Sequence, residues 1–164
     1  MCIYTYMPPR PDQSVITAIA TECACLNVRR TARAVTQLYD RTFAPIGLRA
    51  TQVTLLVALE RAGPVPFARL ADALGMDRTT LTRNLAPLQR RGLVSLRPGP
   101  DRRVRLAALT DKGRTGLAAA IPLWEEAQRR IAGELGPGRW DAIRRDLHHV
   151  AELAGELPAG GTSR

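Results

Sequence analysis

Residues 77–110 hold the side chains of this chain that are best suited to bind a polyanion. Eight arginines lie between Arg78 and Arg105, whereas the only acidic residues in the same stretch are Asp77 and Asp101. An arginine guanidinium keeps its charge at neutral pH and donates several hydrogen bonds from one plane, which suits phosphate oxygens and the acceptor atoms of guanine. This clustering makes double-stranded DNA the leading candidate partner.

Two helices are predicted to position these arginines. The apolar residues of 66–74 recur at helical spacing, with Pro66 as the first helical residue and Gly75 as the stop. A second helix over 77–91 begins at Asp77, a residue type that caps helix N-termini. Gly92 is suited to the left-handed conformation that ends a helix. Three leucines of the second helix are expected to face the core: Leu81, Leu85 and Leu88.

With these leucines inward, four polar side chains remain on the outer face near the start of the second helix: Arg78, Thr79, Thr82 and Arg83. Arginine can pair with guanine O6 and N7, and threonine offers a hydroxyl group together with a methyl group that can contact thymine. The pattern therefore predicts a helix-turn-helix whose second helix enters the major groove. An ordinary solvated helix face is the alternative.

A β-hairpin, the wing, is predicted after this helix, with strands over 93–96 and 103–109 and a loop over 97–102. Asp101 and Arg103 are two residues apart on one strand face, so they are expected to pair and stiffen the hairpin. Arg102 would then point outward from the tip, toward a minor groove or its phosphates. Arg102 and Arg103 are both candidate DNA contacts; a charged hairpin without such contacts is the alternative.

The composition narrows the class of protein. The 164 residues carry a formal net charge of +9, and aromatic residues make up only 4%, which favours packed helices and a polyanionic partner. No apolar run approaches the roughly 20 residues of a membrane span, and no secretory signal is visible. Three cysteines do not make a disulfide framework, so a cytoplasmic location is expected. No enzyme motif, metal-ligand set or cofactor motif is found.

The flanking regions are predicted from apolar spacing and helix caps. Residues 1–20 are expected to form a flexible arm, 21–43 a long helix, and 51–60 a helix capped by Thr51. A further long helix over 111–135 and a final helix over 140–153 follow, with a flexible tail at 156–164. The predicted fold is mainly α with a small β-hairpin (α+β). Two outer helical regions with apolar faces are too large to be buried on so small a lobe, which favours a homodimer.

The segment DRTTLTRNLAPLQRRGLV, followed by D-x-R at Asp101 and Arg103 and by L-T-x-x-G at 109–113, resembles the MarR family of bacterial transcription regulators. The resemblance covers roughly 21–155. It implies a homodimer that binds a pseudo-palindromic operator, with a winged helix-turn-helix lobe at 51–110 and dimerisation helices at 21–48 and 111–155. Repression is the expected mode of regulation, and a non-specific architectural DNA-binding protein is an alternative.

The resemblance also implies that an effector controls DNA binding. A small aromatic ligand would bind between the dimerisation helices and the DNA-binding lobe, with Tyr39, Phe43 and Trp124 and nearby arginines as candidate contacts. Ordinary core packing of these aromatic residues is the alternative. In one branch of the family a reactive cysteine at the start of the first long helix senses organic hydroperoxides. Cys25 is in register with that cysteine, and Cys23 is two residues away, so a redox-responsive repressor is the second expectation. Arg29 stands where that branch has a tyrosine.

Overall fold

The computed structural model describes residues 10–101, 104–136 and 138–156. Within these ranges, seven α-helices, one 3₁₀ turn (Ala44–Ile46) and three short strands follow one another along the chain. Their bounds are α1 Gln13–Glu22, α2 Ala24–Phe43, α3 Ala50–Ala62, β1 Val65–Pro66, α4 Phe67–Ala73, α5 Arg78–Arg90, β2 Val94–Pro98, β3 Arg105–Leu109, α6 Asp111–Leu135 and α7 Arg139–Glu156.

The core lies where α3, α4 and α5 pack against the sheet. It is built mainly from leucines, and none of its buried residues in the described ranges is polar or charged. Such a core is stabilised by removing apolar surface from water. The largest fully buried side chains are Leu55, Leu56, Leu59, Leu70, Leu81, Leu85 and Leu88. The three leucines of α5 thus face inward as the sequence predicts.

The sheet has the strand order β1-β3-β2, and both pairings are antiparallel. The predicted hairpin is present, with Val94 opposite Leu109 and Pro98 opposite Arg105. Strand β1 was not predicted, and Pro66 precedes α4 in an extended conformation instead of being its first residue. A strand of two residues is too short to show an alternating pattern, and proline is tolerated in it because β1 is an edge strand.

The expectation of a flexible arm over residues 1–20 is wrong for residues 13–20, which belong to α1. The Asp12 carboxylate caps this helix, accepting hydrogen bonds from the Ser14 backbone N–H at 2.8 Å and the Ser14 hydroxyl at 2.7 Å. The predicted helix over 21–43 is divided in two because Cys23 is extended, with φ −62° and ψ 115°. Residues 1–9 and 157–164 lie outside the described residues.

The start of α3 also differs from the prediction. Its N-cap is Arg49, not Thr51, and the Arg49 backbone N–H donates to the Gln52 side chain at 3.1 Å. The Asp40 carboxylate of α2 accepts a hydrogen bond from the Ala50 N–H at 2.8 Å. A side chain ten residues away therefore satisfies one of the free amides at this helix start, which local sequence could not indicate.

Helices α2, α6 and α7 extend beyond this core. Several large apolar side chains of α1, α2, α6 and α7 are 41–53% exposed, among them Ile19, Leu26, Trp124, Leu147 and Val150. Within the described ranges no single helix is both long and apolar enough to cross a membrane. Within these ranges one pair of helical segments, Ala24–Ile46 and Ala50–Ala62, has the length and composition of a membrane span when the two are taken together, but the pair is bent by 77°.

The L-T-x-x-G segment packs the start of α6 against the start of β2. The Thr110 hydroxyl donates to the Gly92 carbonyl at 2.7 Å and accepts from the Gly113 N–H at 3.0 Å. A Cβ on Gly113 would overlap the Leu93 carbonyl oxygen and lie 2.7 Å from Leu109 Cδ1. Only glycine allows this close approach.

We expect Gly113→Ala to lower the free energy of unfolding by roughly 1–3 kcal/mol, because the methyl group must push backbone and core apart. Gly116→Ala is the matched control, since its Cβ would meet only Leu93 Cδ2, at 3.6 Å. That variant should be neutral or gain up to about 1 kcal/mol from helix propensity. Urea unfolding of both variants measures the difference, and equal stabilities would contradict the close-approach argument.

Candidate nucleic-acid interface

Helix α5 begins at a well-formed N-cap. The Asp77 carboxylate accepts the Thr80 backbone N–H at 2.8 Å and the Thr80 hydroxyl at 2.7 Å. These hydrogen bonds, the hydroxyl first, hold the pKa of Asp77 below its ordinary value of 3.8, and the positive charge of Arg83 acts in the same direction. The cap fixes where the helix starts, and therefore where its outer side chains lie.

The turn between α4 and α5 is short. Gly75 has φ 59°, and the Met76 N–H donates to the Ala71 carbonyl at 2.9 Å. Because the leucines of α5 are buried, the four predicted DNA contacts of this helix are all on its exposed face: Arg78, Thr79, Thr82 and Arg83. The structure thus brings these four side chains together on one surface.

The exposed face of α5 keeps its charge available. Among the described residues, no ion pair involves Arg78 or Arg83. Arg83 only approaches the Thr80 hydroxyl, at 3.5 Å. The Thr82 hydroxyl donates to the Arg78 carbonyl at 2.8 Å, so its oxygen and its methyl group remain free to meet a ligand.

The tip of the hairpin is only partly described. The Val104 N–H donates to the Asp101 carbonyl at 2.9 Å, and the Gly99 N–H donates to the Val104 carbonyl at 2.7 Å. Arg102 and Arg103 lie outside the described residues. Their DNA contacts and the pairing of Asp101 with Arg103 therefore stay predictions.

Arg105 belongs to the same surface, although the sequence analysis did not single it out. Arg105 and Arg78 are both exposed and flank a cleft of about 310 Å³ that is also lined by Pro66, Phe67, Ala68 and Val104. Ala107 and Leu109 are buried, so strand alternation places Arg105 on their face of the sheet, beyond the edge of the core. Alternation along the predicted strand could therefore have placed Arg105 on this face from the sequence alone.

Tyr39, Phe43 and Trp124 line one cleft between α2, α3 and α6. The cleft is about 330 Å³, and its other lining residues are Val35, Thr36, Ala50, Val53, Thr54 and Val57. The rings of Tyr39 and Phe43 are tilted at 31° with centroids 5.8 Å apart. Burial raises the pKa of Tyr39, against a hydrogen bond with Gln128 that lowers it. Among the described residues that line this cleft there is no arginine, and the expected ligand contacts of nearby arginines stay a prediction.

The two described cysteines lie at the start of α2. Cys23 is the N-cap and is half-buried, whereas Cys25 is exposed, and both thiols are free. Tyr39 is fourteen residues further along the same helix, about 21 Å away, so within one chain it does not reach Cys25. In the described ranges, no three His, Cys, Asp or Glu side chains are placed to hold a metal ion.

A helix-turn-helix followed by a β-hairpin, with an arginine-rich outer face, defines a winged-helix DNA-binding protein. The model of the MarR family matches residues 46–103. The Pseudomonas putida HTH-type transcriptional repressor NicR is 31% identical over 117 residues, which span 71% of this chain and 74% of NicR. The chain belongs to the MarR family of DNA-binding transcription regulators.

Solved structures agree with this assignment. MosR of Mycobacterium tuberculosis, crystallised with DNA, is 40% identical, has a TM-score of 0.74 and is matched over 83% of this chain and 100% of its own. CouR bound to a 23-mer DNA duplex is 27% identical, with a TM-score of 0.75, over 87% of this chain and 99% of CouR. The alignment with the Bacillus subtilis regulator YwoH, at 29% identity, spans only 61% of YwoH.

We expect Asp77→Asn to weaken the cap of α5 most clearly near neutral pH. Because the folded-state pKa of Asp77 lies below 3.8, its carboxylate stabilises the fold at higher pH, and this contribution disappears as the pH falls through the folded-state pKa. The difference in melting temperature between wild type and variant should thus be largest at pH 6–7 and decrease as the pH falls below 3.8 and through the folded-state pKa of Asp77. A difference independent of pH would contradict the capping role.

Proposed function

We propose that this protein is a homodimeric repressor that binds a pseudo-palindromic operator and is released from it by a small aromatic ligand. The observation that carries the proposal is the outer face of α5, where Arg78, Thr79, Thr82 and Arg83 lie together opposite three buried leucines. Similarity to NicR, which is a transcriptional repressor, and to MosR, which was crystallised with DNA, supports it.

We assign different roles to the arginines by their position. Arg83 lies on the second turn of α5, on the face with Thr79 and Thr82, so it is the candidate for reading guanine in the major groove. Arg105 is the first residue of the central strand β3 and lines the same cleft as Arg78, so it is the candidate for a backbone phosphate. Base contacts provide sequence preference, whereas phosphate contacts provide affinity on any sequence.

Dimerisation would bury the exposed apolar faces of the outer helices. All described side chains of α7 are at least partly exposed, and Leu147, Val150 and Leu153 are 44–46% exposed. The exposed apolar side chains of α7, and those of α1, would be costly to leave in water. Two-fold symmetry would also present two α5 helices to two half-sites, about one turn of DNA apart.

The cleft lined by Tyr39, Phe43 and Trp124 is the candidate effector site. Its side-chain lining is apolar apart from the hydroxyl groups of Thr36, Tyr39 and Thr54 and the indole N–H of Trp124, and none of its lining residues is charged. This chemistry suits an aromatic ring with one or two polar groups. CouR, which has also been solved with p-coumaroyl-CoA, binds a molecule that carries such a ring. The effector would weaken DNA binding only by the extent to which it prefers the non-binding geometry.

Redox control is the second candidate, and it is favoured by the exposure of Cys25 in the first turn of α2. A hydroperoxide would oxidise the Cys25 thiol to a sulfenic acid and be reduced to the alcohol. Loss of operator binding after hydroperoxide treatment, if abolished in Cys25→Ser, would place control at this thiol.

The roles of the arginines can be separated by comparing two variants on two DNAs. Arg83→Ala should weaken binding to the operator by roughly 1–3 kcal/mol and leave binding to random DNA much less affected. Arg105→Ala should weaken binding to both DNAs and reduce the slope of log K against log salt by about 1. Fluorescence anisotropy at several salt concentrations measures both quantities.

Equal losses on the two DNAs in Arg83→Ala would remove this side chain from base reading and favour a non-specific architectural role. An unchanged salt slope in Arg105→Ala would remove the phosphate contact.

Leu147→Asp should shift the protein from dimer to monomer, because it places a charge in the apolar face of α7. His148→Asp is the matched control, since this side chain is 78% exposed, pairs with Glu152 at 3.2 Å and lies on the other side of the helix. Analytical ultracentrifugation distinguishes the two states. A Leu147→Asp protein that stays dimeric would exclude α7 from the interface.

A further inference from the structure

The turn between α2 and α3 is held by two side chains that are distant in sequence. Arg91 caps the C-terminus of α5, and its guanidinium donates to the Gly47 carbonyl at 2.5 Å and to the Ile46 carbonyl at 3.4 Å. On the other side, Asp40 of α2 accepts from the Ala50 N–H at 2.8 Å. The turn is therefore tied both to α2 and to the helix that carries the candidate base-reading residues.

The conformation of the turn makes the contact with Arg91 possible. Gly47 has φ 65°, and the Nη2 atom of Arg91 lies 3.6 Å from the position that a Cβ on Gly47 would take. The neighbouring Phe43 and Leu48 are buried, 2% and 3% exposed, and the Leu48 N–H donates to the Phe43 carbonyl at 3.3 Å. Because both side chains are packed in the core, the turn is displaced together with the ends of α2 and α3.

The two helix ends that flank this turn form part of the wall of the effector cleft. Phe43, the last residue of α2, and Ala50, the first residue of α3, both line it. A molecule that fills the cleft and separates α2 from α3 would displace the carbonyls of Ile46 and Gly47. Helix α5 has 13 residues and is about 20 Å long. A shift at Arg91 therefore becomes a change in the direction of α5.

We propose that Arg91 is a positioning residue that couples occupancy of this cleft to the orientation of α5, an inference that rests on the proposed function. Arg91 is exposed, so its two hydrogen bonds add little to stability. Their effect lies in tying the turn at residues 46–47 to the C-terminus of α5. The alternative is that Arg91 stabilises the turn locally and that occupancy of the cleft does not affect the orientation of α5.

A double-mutant cycle tests the coupling without an identified ligand. Thr54 is exposed and lines the cleft, so Thr54→Trp fills it with an indole ring. In the wild-type background we expect this variant to raise the dissociation constant for an operator fragment by about tenfold. In the Arg91→Ala background the same substitution should raise it less than twofold, because the connection to α5 is lost. Fluorescence anisotropy measures all four proteins.

Controls keep the outcomes distinct. Arg90→Ala removes the same charge from the adjacent position and should preserve the tenfold effect of Thr54→Trp. Thr36→Trp fills the cleft from α2 and replaces Thr54→Trp if that variant misfolds. Arg91→Lys keeps the charge but lacks a guanidinium that spans two carbonyls, and it replaces Arg91→Ala if that variant misfolds.

A cleft-filling effect that is absent in wild type, or equal with and without Arg91, would overturn the coupling while leaving operator binding intact. A wild-type protein that does not distinguish operator from random DNA would instead overturn the proposed function.

Discussion

The burial of Leu81, Leu85 and Leu88 is the interaction on which the candidate DNA-binding face of α5 depends. Each side chain is 0–1% exposed, and burying a leucine fully contributes about 1.5–3 kcal/mol. A rotation of α5 about its axis would bring these leucines into water and move Arg83 toward the core, so the rotation is strongly disfavoured. The apolar core thus determines which polar side chains face outward, and the cap at Asp77 determines where along the helix they begin.

The distribution of ion pairs complements this arrangement. In the described ranges the ion pairs involve Arg114, Arg129, Arg144 and His148, all on α6 and α7. Each is exposed, and such pairs contribute roughly 0–1 kcal/mol. The arginines of α5 have no such partners there. Among the described residues, positive charge is therefore partly compensated on α6 and α7 and left available on the outer face of α5.

The elements around α5 could be predicted from sequence because their signals are local. Asp77 and Thr110 are cap residues, Gly92 has a positive φ, and the leucines of α5 follow helical spacing. The elements that were missed depend on distant contacts or very short segments. Strand β1 exists because Val65 pairs with Ala107, and α3 begins where Asp40 reaches Ala50. Helix α1 was missed because the prolines just before Asp12 are typical of an extended arm, whereas its cap at Asp12 is a single-residue signal.

In the candidate sites, too, features with a local sequence signal were predicted and features that depend on distant contacts were not. Helical periodicity predicted the outer face of α5, and Tyr39, Phe43 and Trp124 do share a cleft. The contacts of Arg91 with the turn at residues 46–47 are between residues more than forty positions apart, and no pattern in a single sequence indicates such a pair. The coupling that we propose between the cleft and the outer face of α5 therefore rests on the three-dimensional structure and not on a sequence pattern.

The most direct test of the account is the affinity of the wild-type protein for DNA from the region upstream of its own gene, measured beside a shuffled fragment of equal length and composition. A winged-helix dimer that reads bases should bind the upstream fragment at least about 10³-fold more tightly at physiological salt. Equal affinity for the two fragments, with the same salt dependence, would mean that the arginines contact only phosphates, and it would contradict sequence-specific regulation at that site.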